Sequence, residues 1–144
     1  ARLAAFDLER DLDGRFRINE CYCHDTTWQD ALRALVEASH VVLMDLRGFQ
    51  AHNAGCRVEL AALARARALA RVVVLTDAQT DRATAHADAA AAPPGRFVWL
   101  DASRIDAAQR RRTLAALFED APAPLARRET AAAAAPAAGA PPKN

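Results

Sequence analysis

Three short apolar runs constrain this chain more than anything else in it: Val41-Val42-Leu43-Met44, Val72-Val73-Val74-Leu75 and Phe97-Val98-Trp99-Leu100. Each is too short for a buried helix, rich in β-branched or aromatic residues, and closed by a polar residue (Asp45, Thr76 or Asp101). That is the pattern of strands buried on both faces, as in a parallel sheet. Helical periodicity lies between them. Trp28, Leu32, Leu35 and Val36 fall at i, i+4, i+7 and i+8 behind Asp25, Thr26 or Thr27 as caps. A second helix begins near Gly55 and carries Leu60, Leu63 and Leu69. A weak one spans Ala83 to Ala92 before Pro93-Pro94-Gly95, and a last one runs from Asp106 to Phe118 with Leu114, Leu117 and Phe118 inward. Strands alternating with helices require right-handed crossovers, and so predict an α/β three-layer sandwich with a mainly parallel sheet.

The ends of the chain read differently. Phe16 and Ile18 alternate with Arg15, Arg17 and Asn19 as a short strand, while residues 1–14 form a lead-in too polar and broken for a central strand. From Ala121 to Asn144 the chain is Ala/Pro-rich and holds Leu125 as its one large apolar residue, so a disordered tail is expected. The folded domain is thereby limited to residues 15–120. Alanine explains why the chain looks more hydrophobic than it is. It fills 38 of 144 positions, so the 52% hydrophobic content overstates the core.

Charge excludes some partners. Nineteen basic and 18 acidic residues leave a net charge of +1, too little to draw nucleic acid or an anionic membrane. Arg110-Arg111-Arg112 has no interleaved aromatics for base stacking and reads as a solvated helix face. Cys21, Cys23 and Cys56 form an odd set without a disulfide framework, which suits the cytoplasm. No apolar run approaches the length of a membrane span. Cys21-Tyr22-Cys23-His24 lacks the second ligand pair of a zinc site, so neither a metal nor a cofactor is expected. Cys56 with His24 or His52 is a weaker nucleophile candidate by residue type alone.

In a parallel α/β sheet, function concentrates at the carboxyl ends of the strands. Here these are residues 20–25, 45–53, 76–80 and 101–103. The segment from Asp45 to Glu59 is the most informative. A strand ending in a carboxylate leads through Arg47, Gly48, His52 and Asn53 into Gly55-Cys56-Arg57-Val58-Glu59. With a helix starting near Gly55, Glu59 lies one turn in, able to face the same crevice as Asp45. Two carboxylates there could hold the hydroxyls of a ribose and stabilise or attack an oxocarbenium-like centre. The plainer alternative is a helix-dipole residue and a strand-end cap.

Ser39 to Val42, Cys56-Arg57-Val58-Glu59-Leu60 and the strand Val72 to Leu75 resemble the middle of a TIR domain. The Gly55-x-x-x-Glu59 spacing behind Asp45 is similar to the nucleoside deoxyribosyltransferase family. Both resemblances imply a flavodoxin-like sheet and cleavage of an N-glycosidic bond, in NAD or a nucleoside. They imply Glu59 as the catalytic carboxylate, with Asp45 and Asn53 as substrate contacts; Arg47, Gly48, Gly55 and Asp77, at the same strand ends and helix start, are expected to join them. The TIR-like order of elements covers Arg15 to Glu119, but Gly55 stands where that family usually has Trp, and Cys21 to Thr27 replace its Pro-Gly loop. The first strand, central in that topology, is not present, so the expectation is an amino-truncated piece or, as the alternative, a sheet that closes in an order without that strand.

Arg17-Ile18-Asn19-Glu20, Asp25-x-Thr-Trp28-Gln29 and Leu43-Met44-Asp45-Leu46-Arg47-Gly48-Phe49 resemble the soluble C-terminal part of a group of uncharacterised bacterial membrane-associated proteins. That resemblance implies an upstream anchor. It also keeps open a non-catalytic interaction or sensing domain, with a protein partner or a homo-oligomer in place of a nucleotide.

Overall fold

The structure is a computed structural model and describes residue 9 and residues 11–15, 19–20 and 22–119. The expected strand at Phe16 to Ile18, the residue Cys21 and the expected tail from Ala121 lie outside the described residues. Within them the chain alternates helix and strand: α1 (Trp28–Ala38), β1 (Val41–Asp45), α2 (Ala54–Arg65), β2 (Arg71–Thr76), α3 (Arg82–Asp88), β3 (Phe97–Asp101) and α4 (Ala107–Phe118).

The three strands form one parallel sheet in the order β1-β2-β3. Val42 lies beside Val72, and Val74 beside Trp99. The expected α/β architecture is the one found, and among the described residues no strand precedes β1. Even-numbered β2 residues Val72 and Val74 join Met44, Leu46, Leu60, Leu63 and Ala85 on the face covered by α2 and α3, with α1 alongside α2. Val73 and Leu75 point to the opposite face, where Leu117 of α4 and Ala102 cover them. Strand alternation sorts these residues into two cores, one per face.

Side chains with no apolar role tie the helices down. Asp81 and Asp106 cap α3 and α4 by accepting from the backbone N–H groups of Thr84 (3.1 Å) and Gln109 (2.7 Å). The buried Arg96 donates from Nη1 to the carbonyls of Leu63 (3.3 Å) and Ala64 (2.9 Å) in the last turn of α2. Burial pushes the Arg96 pKa down, and the helix carbonyls serve Nη1 while the buried Nε has no partner among the described residues. At the end of α4, Arg71 does the same for Ala116 (3.0 Å) and Glu119 (2.8 Å).

Three expectations are corrected. β1 is buried on neither face throughout: among the described strands it lies at an edge, and Leu43 keeps 48% of its surface exposed. Only β2, with a neighbour on each side, has the continuous burial that its composition suggested for all three strands. In α4, Leu117 is inward as expected, whereas Leu114 (56%) and Phe118 (66%) are exposed. A helix packed on one side of a narrow sheet buries one stripe, and the positions of Gln109, Thr113 and Leu117 form it. Finally, α3 stops at Asp88 and continues only as turns through the following alanines.

Candidate functional site

The loops at the carboxyl ends of the strands are tied to one another. Asp45 accepts from its own loop, receiving Arg47 Nε (2.9 and 3.1 Å) and the Arg47 backbone N–H (3.1 Å). The guanidinium beside it holds the Asp45 carboxyl below its ordinary pKa. Gly48 turns the loop at φ 72°, a conformation that a side chain disfavours, and sends its N–H to Asp77 Oδ1 at 3.0 Å. Asp77 Oδ1 also receives the Gln79 N–H at 3.0 Å. The Gly48 bond is the largest of the several that lower the Asp77 pKa. Thr80 Oγ1 accepts from Asp77 N (2.9 Å) and stands 3.0 Å from the Leu46 carbonyl. Gln50 completes the tie by donating to the carbonyl of Gln79 at 2.5 Å.

Asn53 occupies the N-cap position of α2, yet its Oδ1 accepts from Gln50 N (2.7 Å) instead of from the helix. Gly55 is exposed in the first turn, with nothing within 4 Å of where a Cβ would lie. Asp45, Arg47, Gly48, Asn53 and Asp77 are therefore all engaged in holding the crest together.

Glu59 is elsewhere. It sits on the face of α2 that looks toward β1 and α1, and lines a cavity of about 400 Å³ with Val42, Leu43 and Met44 of β1 and Leu32, Leu35 and Val36 of α1. Among the described residues, the only other polar side chain in that lining is Ser39. The Glu59 carboxylate is half-buried and makes no hydrogen bond or ion pair among the described residues, and burial pushes its pKa up. None of Asp45, Arg47, Gly48, Asn53, Gly55 and Asp77 shares the cavity. The residues expected to converge thus fall into two groups: a self-satisfied crest, and one lone carboxylate in an apolar recess.

The sulfur candidate has the wrong electrostatics. The Cys56 thiol is pushed up by burial and then by the nearby Glu59 charge, which is opposite to what activates a nucleophile. No group of three or more His, Cys, Asp or Glu side chains among the described residues is placed to hold a metal ion. No helix among them is long and apolar enough to cross a membrane.

A second recess is not marked by any sequence motif. On the opposite face of the sheet, Leu43, Leu75, Ile105, Leu114 and Leu117 line an apolar cavity of about 340 Å³. Leu114 and Leu117, three residues apart, share one side of α4 and both line it. Leu43 borders both recesses. Comparison with known proteins adds no assignment to this geometry: no protein-family model, no curated protein and no solved structure matches the chain.

Proposed function

We propose that this chain is a non-catalytic interaction domain that uses the outer edge of β1. One observation carries the reading. β1 is an apolar strand whose second edge has no partner among the described residues, and apolar recesses flank it on both faces. An edge of this kind is a template for pairing with another segment. The strand holds no Pro, no Lys and no bulge to blunt it, and its one charge, Asp45, is already balanced by Arg47. The crest offers less, because its polar groups satisfy one another. The cytoplasm is the setting proposed for it.

The test is direct. A neutral extended peptide, acetyl-Thr-Thr-Val-Thr-Val-Thr-Thr amide, is expected to slow hydrogen exchange of the outward β1 amides, and Leu43→Asp is expected to abolish the effect. Unchanged exchange at millimolar peptide would sink the reading.

A second reading is favoured by Glu59 itself. A half-buried carboxylate with a raised pKa and no partner among the described residues is a candidate for a functional site. The TIR and deoxyribosyltransferase resemblances point to the same residue. On this reading Glu59 stabilises or attacks the anomeric carbon while a base lies against the apolar lining. Release of nicotinamide from NAD, or of free base from a deoxynucleoside, that disappears in Glu59→Ala would establish it. No release from either substrate would remove it.

A further inference from the structure

We propose that the β1 edge takes a single extended strand whose residue facing α1 is a lysine or arginine, paired with Glu59. The inference rests on the interaction reading and names the partner's chemistry.

Geometry gives the alternation. Val42 and Met44 point to the face of α1 and α2, while Leu43 borders the recess beneath α4. A strand hydrogen-bonded along β1 would send alternate side chains to these same two faces. On the α4 side its neighbours are Leu43, Ile105 and Leu114, exposed by 48%, 53% and 56%. Apolar side chains at two alternate positions would cover them. The residue between these two turns toward the Glu59 cavity.

Charge decides what that residue is. The Glu59 carboxylate has lost part of its hydration and gained no partner among the described residues. Half-buried charges are normally paired, because an unpaired one forfeits solvation without compensation. A lysine or arginine suits the recess on both counts. Its aliphatic stem lies along Val42, Leu35 and Val36, and its head reaches the carboxylate. An acidic residue in the same place would set two like charges together in a poorly hydrated space.

The roof of the recess decides how large the partner can be. Leu32, Leu35 and Val36 of α1 line the same space as β1, so the slot beside the strand is covered by a helix on one face. A second copy pairing antiparallel through its own β1 would bring its own α1 to the same face of the sheet, so a single strand demands less room there. A near-zero net charge of +1 neither favours nor opposes that copy, so the steric argument stands alone.

The experiment compares acetyl-Thr-Thr-Val-Lys-Val-Thr-Thr amide with the same peptide carrying Glu in place of Lys and with the neutral peptide above. Binding is read by titration of an amino-terminal fluorophore and by hydrogen exchange in β1. The lysine peptide is expected to bind about tenfold or more tighter than the glutamate peptide. In Glu59→Gln the two are expected to agree within about twofold, with the neutral peptide unchanged. Equal binding of all three to the wild-type chain would overturn the charge assignment and leave the interaction reading standing. Binding of none would remove both. A preference that survives Glu59→Gln, or binding unaffected by Leu43→Asp, would place the peptide elsewhere and overturn the proposal. So would a doubled mass in sedimentation that Leu43→Asp returns to the monomer value, since it would assign the edge to a second copy.

Discussion

The backbone N–H of Gly48 donates to Asp77 Oδ1 at 3.0 Å, joining the loop after β1 to the loop after β2. Asp77 therefore acts as a local organiser: one carboxylate accepts from the backbone of two different loops. Its replacement by alanine is expected to lower Tm by roughly 3–8 °C and to speed amide exchange at Gly48 and Gln79. The pH dependence has a definite sign. Because the folded-state pKa is lowered, the stabilisation is present above the ordinary carboxyl value of 3.8 and is lost as pH falls through the folded value. The stability gap between wild type and Asp77→Asn should thus narrow on acidification, as denaturant melts at several pH values would show. A constant gap would remove the carboxylate's charge from the explanation.

Gly48 itself offers a second check. Its φ of 72° lies in the left-handed region, although the space around a Cβ is open. Gly48→Ala is expected to cost about 1–2 kcal/mol, all of it conformational, and Gly48→Asn less, since asparagine tolerates this region. Urea unfolding with an unchanged m-value would verify both the size and the order.

Glu59 behaves oppositely to Asp77. Burial raises its pKa, so its contribution to stability is fully present below the unfolded value near 4.5 and is lost as pH rises through the folded value. Glu59→Gln should therefore match the wild type in acid and exceed it at neutral pH, by less than about 1 kcal/mol because the group is partly screened by water. A variant less stable than wild type at pH 7 would mean the carboxylate has a favourable partner in the folded chain.

Arg96 supplies the largest expected loss. Its guanidinium serves the carbonyls of Leu63 and Ala64, and it is 9% exposed. Arg96→Ala removes the donor and leaves two helix-end carbonyls short of partners, at a cost of about 2–4 kcal/mol. Arg96→Lys should recover part of this, since one ammonium cannot match the planar reach of the guanidinium. Thermal unfolding of the three proteins would rank them; equal stability would show that water satisfies the carbonyls.

Most of the architecture was legible because it follows from periodicity. Apolar runs of four residues separated by amphipathic stretches leave few options except a parallel sheet with helices on its faces, and the caps Asp81 and Asp106 lie where helix starts require them. The candidate site was legible only as a set of residue types. Asp45, Asn53 and Glu59 are close in sequence, but Asp45 is drawn to Arg47 and Asn53 to Gln50, and neither preference appears in a spacing argument. Arg96 was unreadable for a similar reason: among so many arginines, nothing local marks the one whose partners are 32 and 33 residues away.

The sequence alone determined which segments become strands and helices, since that depends on the period of apolar residues within each segment. It could not rank the three apolar runs, because a strand's burial depends on how many neighbours it acquires. Among the described strands, tertiary structure made β2 central and left β1 at an edge, with Leu43 exposed between two recesses. It also turned Glu59 away from the crest and into one of those recesses. Which face of a helix meets which strand is a property of the assembled layers, and that choice, made by packing, separates a catalytic pair from a lone carboxylate.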